Sequence, residues 1–157
     1  TPGLDRRERL GWLLVTLTCL VAVPALKRGS LTSCPWDLGE FGGVALYVSH
    51  WQAGFADGGA GHCFPSGHAV AAFAFLSGFF VLRDAHPRAA RAWLAGVVTA
   101  GLLFGWAQWA RGAHFPSHTA WSAWACWAIS LALSPFVRAG GAARPALRPA
   151  ALPAPRR

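Results

Sequence analysis

Charged residues are scarce in this sequence. Aspartate, glutamate, lysine and arginine together make up 13% of its 157 residues, about half of the roughly 25% that soluble proteins carry. Hydrophobic residues make up 54%, and the chain also holds nine tryptophans and eighteen glycines. This balance argues against a soluble globular domain and predicts an integral membrane protein.

Methionine is absent altogether, so the sequence shows no initiator residue. Its first residues already form a charged flank, and they do not read as a secretory signal peptide with its cleavage site. We therefore expect a fragment or a processed form of a longer chain.

Acidic residues are also few, six against fourteen basic ones, which leaves a formal net charge of +8. Nucleic-acid binding would need a basic surface interleaved with exposed aromatic side chains. Eleven arginines instead lie in three groups that flank apolar runs, and we predict no nucleic-acid partner. The groups are Arg6, Arg7 and Arg9; Arg83, Arg88 and Arg91; and Arg138, Arg144, Arg148, Arg156 and Arg157.

Four apolar runs predict membrane-spanning helices. A helix needs about 20 apolar residues to cross the roughly 30 Å hydrocarbon core of a bilayer. Small residues in the third and fourth runs would let helices pack closely in lipid. We therefore predict an all-α fold, a transmembrane helical bundle with four spans that forms one domain over 1–137. The predicted spans are 10–26, 65–82, 92–110 and 118–137.

The three arginine groups also predict the orientation of the bundle. Basic residues concentrate on the cytoplasmic side of membrane proteins, and four spans place both chain ends and the second connection on one side. The opposite, extracytoplasmic side then receives Lys27, Ser66, His68, Arg111, His114 and His118. We predict an integral protein of a bacterial cell membrane whose polar site faces outward.

The long outer connection, 29–61, carries an apolar and aromatic patch at 41–55. Its helical spacing predicts either a helix that lies in the membrane interface or the core helix of a small outer cap. Cys34 and Cys63 also fall on the outer side, where they form a disulfide or remain two free thiols. The Pro/Ala/Arg composition of 138–157 predicts a disordered tail.

Pro65, Ser66, Gly67 and His68 open the second predicted span. Proline suits the first turn of a helix, so the N–H groups that follow it would be unpaired and available to an anion. The Ser66 hydroxyl adds a donor, Gly67 permits close approach, and His68 can carry a proton near neutral pH. Taken alone, the same residues also fit an ordinary helix cap beside a structural histidine.

Two further segments reach the same outer face. Lys27 ends the first span, and the connection between the third and fourth spans contains Arg111, His114 and His118. Ionisable groups close to a membrane are costly unless they serve a function. Two cations, a helix start and three histidines together predict a phosphate site.

These residues give the chain a specific resemblance. It resembles the type 2 phosphatidic acid phosphatase family, also called the lipid phosphate phosphatase and vanadium haloperoxidase superfamily. That family carries Lys, six residues, Arg-Pro; then Pro-Ser-Gly-His; then Ser-Arg, five residues, His, three residues, Asp. Here the first motif begins at Lys27, the second is intact, and the third aligns through His114 and His118. Since the family forms six-helix bundles, the resemblance implies helices three to six, or else a shorter four-helix member.

Three positions depart from the family pattern. Cys34 stands where the first motif has arginine, so one phosphate ligand is lost or comes from another residue such as Arg28. Gln108 stands where the third motif has arginine. Arg111 lies about one helical turn further on and could reach the same place. His118 replaces the orienting aspartate; an imidazole can accept the same hydrogen bond but holds positive charge less well.

The resemblance implies a catalytic mechanism. His114 would attack phosphorus, His68 would protonate the leaving oxygen, and His118 would orient His114. Lys27, Ser66, Gly67 and Arg111 would hold the phosphate oxygens, with no metal and no cofactor. The substrate would be the phosphate monoester or diphosphate of a lipid, cleaved by water or transferred to another acceptor.

Two alternatives remain open at this point. His114 and His118 could bind Zn²⁺ together with His62, Cys63 or His68, although such a site has no use for neighbouring cations. The departures also fit a catalytically impaired relative that binds phospholipid through the same pocket.

Overall fold

The computed structural model describes residues 3–52 and 54–138, and most of them are helical. Four helices follow one another along the chain, and no β-strand occurs among the described residues. The predicted fold class, an all-α bundle, is confirmed. The helices are α1 (Arg6–Arg28), α2 (Gly67–Leu82), α3 (Pro87–Ala110) and α4 (Pro116–Arg138).

Three of the helices, α1, α3 and α4, are long and apolar enough to cross a membrane. Their outward faces carry large apolar side chains, among them Leu14, Val21 and Phe136, which are 63%, 69% and 73% exposed. An apolar surface of this extent is unfavourable in water and favourable against lipid chains. The surface therefore agrees with a bundle embedded in a membrane.

Helix α2 is shorter than the other three and lies among them. A 3-10 turn, Ala74–Leu76, interrupts it, and the larger rise per residue of that turn lengthens the helix slightly. Its side chains Val70 and Phe73 pack in a buried cluster with Cys19 of α1, Val97 of α3 and Cys126 of α4. The core of the bundle is therefore built around α2, whose first residues carry the Pro-Ser-Gly-His motif.

Helix α1 begins four residues before the predicted span because a capping box fixes its start. The Glu8 N–H donates to the Asp5 carboxylate, and the Asp5 N–H donates to the Glu8 carboxylate. The two bonds satisfy N–H groups that a helix start otherwise leaves unpaired. At the other end, α1 continues to Arg28, so Lys27 lies in the last turn, where the helix dipole favours a cation.

Helices α3 and α4 approach closely at Gly105. A Cβ atom built there would lie 2.6 Å from the Thr119 Cγ2 atom, and Thr119 also accepts a hydrogen bond from the Trp109 indole. Overpacking of this kind costs about 1–3 kcal/mol. We expect Gly105→Ala to lower the thermal unfolding midpoint in detergent.

Gly96→Ala is the matched control for that substitution, because it lies on the same helix and a Cβ atom there meets nothing within 4 Å. It should leave the midpoint unchanged or raise it, since alanine favours helix by up to about 1 kcal/mol relative to glycine. Equal midpoints for the two variants would contradict close packing at Gly105.

The segment 41–55 does not form the helix that its spacing predicts, either interfacial or in a cap. Among its described residues, only Phe41 belongs to a helical turn, the short 3-10 turn Gly39–Phe41. Gly42 and Gly54 have φ angles of 93° and 84°, a backbone region incompatible with a right-handed helix. Gly43 packs directly on the Asp37 backbone, where a side chain has no room.

Backbone and carboxylate hydrogen bonds hold the outer connection together instead. Asp57 is buried and accepts from the Ser33 N–H, the Ser33 hydroxyl and the Gly59 N–H. Burial alone would raise the pKa of Asp57, but these three bonds outweigh it and hold the pKa below its ordinary value. The connection thus forms a cap held by its own hydrogen bonds at the end of the bundle where α2 begins.

A disulfide joins Cys34 to Cys63, one of the two states that the sequence left open. It ties the start of the outer connection to the segment just before α2. Of the tail predicted at 138–157, Arg138 ends α4 and the remainder lies outside the described residues.

Candidate active site

A cavity of about 480 Å³ lies between the end of α1, the start of α2 and the end of α3. Three residues predicted for the phosphate site line it: Lys27, Gly67 and His68. Gln108 adds an amide, and Phe104 and Ala107 add apolar surface on the α3 side. Phe104 is 45% exposed, so the cavity joins polar groups on α1 and α2 to apolar side chains on α3.

Lys27 lies against the first turn of α2. A Cβ atom built on Gly67 would be 3.7 Å from the Lys27 Cδ atom and 3.8 Å from its Nζ atom. The ammonium group therefore stands beside the positive end of the α2 dipole. Two sources of positive potential at one point favour an anionic ligand there.

The start of α2 differs in one respect from the sequence prediction. The helix begins at Gly67, and the Ser66 N–H donates to the His118 carbonyl over 3.2 Å, so it is not free for an anion. Ser122 of α4 reinforces this junction by donating to the Ser66 and His118 carbonyls. The Ser66 hydroxyl oxygen is fully buried and has no partner among the described residues.

His114 lies in the connection between α3 and α4. Gly112, at a φ of 69°, reverses the chain, and the Ala113 and His114 N–H groups both donate to the Gln108 carbonyl at the end of α3. His114 is only 4% exposed. Its ring centroid lies 6.0 Å from that of His68, so the two imidazoles predicted as nucleophile and acid are neighbours.

His118 contacts His114 directly, with their Nδ1 atoms 3.3 Å apart. One of the two nitrogens must carry the proton of this hydrogen bond. If His114 donates, its proton is on Nδ1 and its Nε2 atom keeps a lone pair. His118 is 1% exposed and is packed by the rings of Phe64 and Phe115, so it can orient His114 as the family aspartate would.

The charge state of His114 follows from its surroundings. Burial lowers the pKa of His114 from its ordinary value of 6.5 to about 4, and the positive charges of Lys27, His68 and Arg111 act in the same direction. Its imidazole is therefore neutral at pH 7. Neutrality is what a histidine nucleophile requires.

Gln108, and not Arg111, lines the cavity, although the sequence suggested that Arg111 could reach the place of the family arginine. The Arg111 side chain is exposed, and its guanidinium lies 5.5 Å from the Trp36 ring centroid in a cation–π contact. It does not line the cavity, although its charge still acts on His114. Gln108 is 8% exposed, lines the cavity and has a side-chain oxygen with no partner among the described residues.

The disulfide also reaches this site. Cys63 Sγ lies 3.4 Å from His114 Nδ1 and 3.1 Å from the Ala113 carbonyl oxygen. A disulfide sulfur carries no proton, so these are contacts and not hydrogen bonds. Cys63, His114 and His118 form the one candidate metal-ligand group among the described residues, but the disulfide leaves it without a thiolate, which counts against the zinc alternative.

His50 belongs to the site's surroundings and was missed from the sequence. It lies in the outer connection, accepts a hydrogen bond from the Trp121 indole over 3.2 Å, and stacks on Phe64 with ring centroids 4.8 Å apart. Its centroid is 6.3 Å from that of His118. In the sequence, the one notable feature of His50 is that it lies in an aromatic patch. Its proximity to His118 could not be predicted, because the two residues are far apart along the chain.

Comparison with known proteins identifies the family to which the chain belongs. A family model described as PAP2 superfamily matches residues 9–141. Comparisons with curated proteins and with solved structures returned no significant match. Because the matched region is most of the chain and includes the whole cluster around His114, the chain belongs to the PAP2 superfamily of type 2 phosphatidic acid phosphatases, whose general function is of the phosphatase type.

Proposed function

We propose that this protein hydrolyses the phosphate monoester or diphosphate of a lipid through a phosphohistidine intermediate on His114, without a metal ion. The observation that carries this proposal is the state of His114. It is buried and neutral, its Nδ1 atom meets His118, and its ring neighbour His68 lines the cavity together with Lys27. A neutral imidazole with one nitrogen occupied presents the other as a nucleophile.

In the first step, the His114 Nε2 lone pair attacks phosphorus and the bond from phosphorus to the lipid oxygen breaks. His68 gives its proton to that oxygen, so a monoester leaves as the lipid alcohol and a diphosphate leaves as the lipid monophosphate. The negative charge of the bound phosphate favours the protonated form of His68. His118 accepts the Nδ1–H of His114 and keeps the ring in the attacking orientation.

In the second step, water attacks the phosphohistidine. His68 now takes a proton from the water, phosphorus bonds to the new oxygen, and the bond to His114 Nε2 breaks. Inorganic phosphate leaves, and both imidazoles return to their starting states. Lys27 and the α2 N-terminus, which line the cavity, would stabilise the equatorial oxygens, a task that metal ions perform in other phosphoryl transfer enzymes.

The lipid nature of the substrate is supported by where the cavity lies. Its apolar wall includes Phe104, and that part of α3 is exposed at the surface expected to face lipid. A lipid could then place its phosphate beside Lys27 while its chains remain in the bilayer. The arginine distribution supports an extracytoplasmic position for this end of the bundle.

The proposal is tested by phosphate release from a panel of lipid phosphates. Purified protein in detergent is assayed against lipid phosphate monoesters and diphosphates with excess chelator present, and the products are identified. We expect release of inorganic phosphate that the chelator does not reduce. Tight lipid binding without turnover on any substrate would favour the impaired, phospholipid-binding alternative.

The pH dependence of phosphohistidine formation follows from the lowered pKa of His114. A free imidazole loses its nucleophilic form as pH falls through about 6.5. In the folded protein, His114 becomes protonated only near pH 4. We therefore expect phosphohistidine formation to persist between pH 6.5 and about pH 4. Rapid-quench measurement of the first turnover from about pH 3 to pH 8 checks this, and an acid limb near 6.5 would contradict it.

Gln108 marks the place where the family has a phosphate-binding arginine. Gln108→Arg would restore a cation in the cavity that Lys27 and His68 line. We expect kcat/KM to rise by roughly 10-fold, which corresponds to about 1.4 kcal/mol of transition-state stabilisation. Gln108→Met, similar in length and uncharged, is the control, and a gain with Met equal to that with Arg would refute the electrostatic explanation.

A further inference from the structure

Cys63, His114 and His118 bring three metal-ligating side chains together around the proposed nucleophile. Their ligand atoms all lie within 4.8 Å of one another, and all three residues are buried. In the oxidised protein Cys63 is bonded to Cys34 and cannot act as a thiolate. The proposed chemistry uses the two histidines but gives the sulfur no role.

Two of the three distances within this group are close to those of a tetrahedral metal site, and the third, between Cys63 and His118, is at most 4.8 Å. Zn²⁺ binds imidazole nitrogen at about 2.0–2.1 Å and thiolate sulfur at about 2.3 Å. Tetrahedral angles then separate two nitrogens by about 3.3 Å, and a nitrogen from a sulfur by about 3.6 Å. The observed separations are 3.3 Å between the two Nδ1 atoms and 3.4 Å between Cys63 Sγ and His114 Nδ1.

We propose that reduction of the Cys34–Cys63 disulfide converts this group into a site for a thiophilic divalent cation such as Zn²⁺, and that the bound cation silences His114. A dithiol reductant supplies two electrons and two protons, becomes a disulfide itself, and leaves Cys34 and Cys63 as thiols. The cation then replaces the Cys63 thiol proton, which passes to water, and binds the Nδ1 lone pairs of both histidines. Its fourth position is open to water or to Cys34.

Silencing follows from the two tautomers of imidazole. A metal ion on Nδ1 takes the lone pair of that nitrogen, so the one ring proton must lie on Nε2. The Nε2 atom of His114 then has no lone pair with which to attack phosphorus. The disulfide thus has a second role besides tying down the outer cap, since it keeps metal away from the nucleophile.

The metal-binding half of this inference is independent of the proposed function, whereas the silencing half rests on it. The test therefore uses a spectroscopic readout first. The probe is Co²⁺, with Zn²⁺ in competition, added to the full chain in detergent. The four samples are oxidised wild type, wild type reduced with a phosphine, Cys34→Ser, and Cys34→Ser/Cys63→Ser.

Cys34→Ser frees the Cys63 thiol, and the double variant removes it while lacking the same disulfide. We expect thiolate-to-cobalt charge transfer and tetrahedral cobalt bands in Cys34→Ser and in reduced wild type. Oxidised wild type and the double variant should bind more than about 100-fold more weakly, since loss of even an outer-sphere partner costs about 10–100-fold. If Cys34→Ser does not fold, reduced wild type decides the same question.

Equal Co²⁺ affinity in Cys34→Ser and the double variant, or bands without thiolate character, would overturn the site. Phosphate release is then measured with Zn²⁺ and after its removal by chelator. We expect Zn²⁺ to inhibit only the two proteins that carry a free Cys63 thiol, and reversibly. Metal binding without inhibition would overturn the silencing, and metal binding in a protein inactive in every sample would count against the proposed function while leaving the site in place.

Discussion

His114→Ala should abolish phosphate release. In the proposed mechanism this side chain forms the covalent intermediate, and among the described residues it is the one imidazole in ring contact with His68. Removing the nucleophile of a covalent enzyme lowers kcat by about 10⁴-fold or more. Phosphate release from the best lipid phosphate of the panel measures the loss, and acid quenching with labelled substrate should find no phosphoenzyme in the variant.

His86→Ala is the matched control for that experiment. His86 stands at the start of α3, at the opposite end of the bundle, and its side chain makes no capping hydrogen bond. It should retain wild-type activity and the labelled intermediate. Phosphate release by His114→Ala at the wild-type rate would reject the phosphohistidine mechanism. Label trapped on a different residue would show that this other residue is the nucleophile.

Lys27→Met should cause the second largest loss. The Lys27 ammonium stands at the α2 N-terminus and lines the cavity, so it would meet the phosphate oxygens as negative charge develops on them. Removing one such stabilising group costs about 10²–10³-fold in kcat. We expect a reduction of this size with an unchanged far-ultraviolet circular dichroism spectrum, since methionine preserves the length and apolar part of the side chain.

Arg28→Met separates a local role of Lys27 from a general effect of charge. Arg28 is the next residue, is also in the last turn of α1, and is exposed without lining the cavity. Its loss should change kcat by less than about 3-fold, because exposed charges are strongly screened. A similar loss in both variants would show that the net charge of the outer face matters, and not the position of the Lys27 ammonium.

The two departures in the third motif have different structural explanations. His118 is buried against His114, so the aspartate position is filled by a group that can accept the same hydrogen bond. The arginine position is filled by the amide of Gln108, while Arg111 is held outside the cavity over Trp36. One helical turn of separation suggested that Arg111 replaces the arginine, but the helix ends at Ala110 and the Arg111 side chain packs over Trp36.

Sequence reasoning failed at the outer connection for a similar physical reason. The apolar residues over 41–55 are spaced as on one face of a helix. Such spacing indicates only which side chains would share a face if the segment were helical. It does not weigh the positive φ angles of Gly42 and Gly54 at the two ends, nor the Ala45 and Leu46 N–H groups, which donate to the Asp37 and Asp57 carbonyls and not along a helix. The aromatic residues of that segment instead project from irregular backbone. His50, which belongs to the same segment, lies close to His118 of the site.

The sequence by itself determined the membrane bundle and the identity of the motif residues. Hydropathy and charge placement are sums over many residues, and motif spacing is read along the chain, so none of them needs distant contacts. Only the tertiary structure decided that Cys34 pairs with Cys63, that Gln108 and not Arg111 lines the cavity, and that His114 is buried enough to be neutral. Each of these depends on distances between residues remote in sequence, and those distances exist only when the four helices have packed.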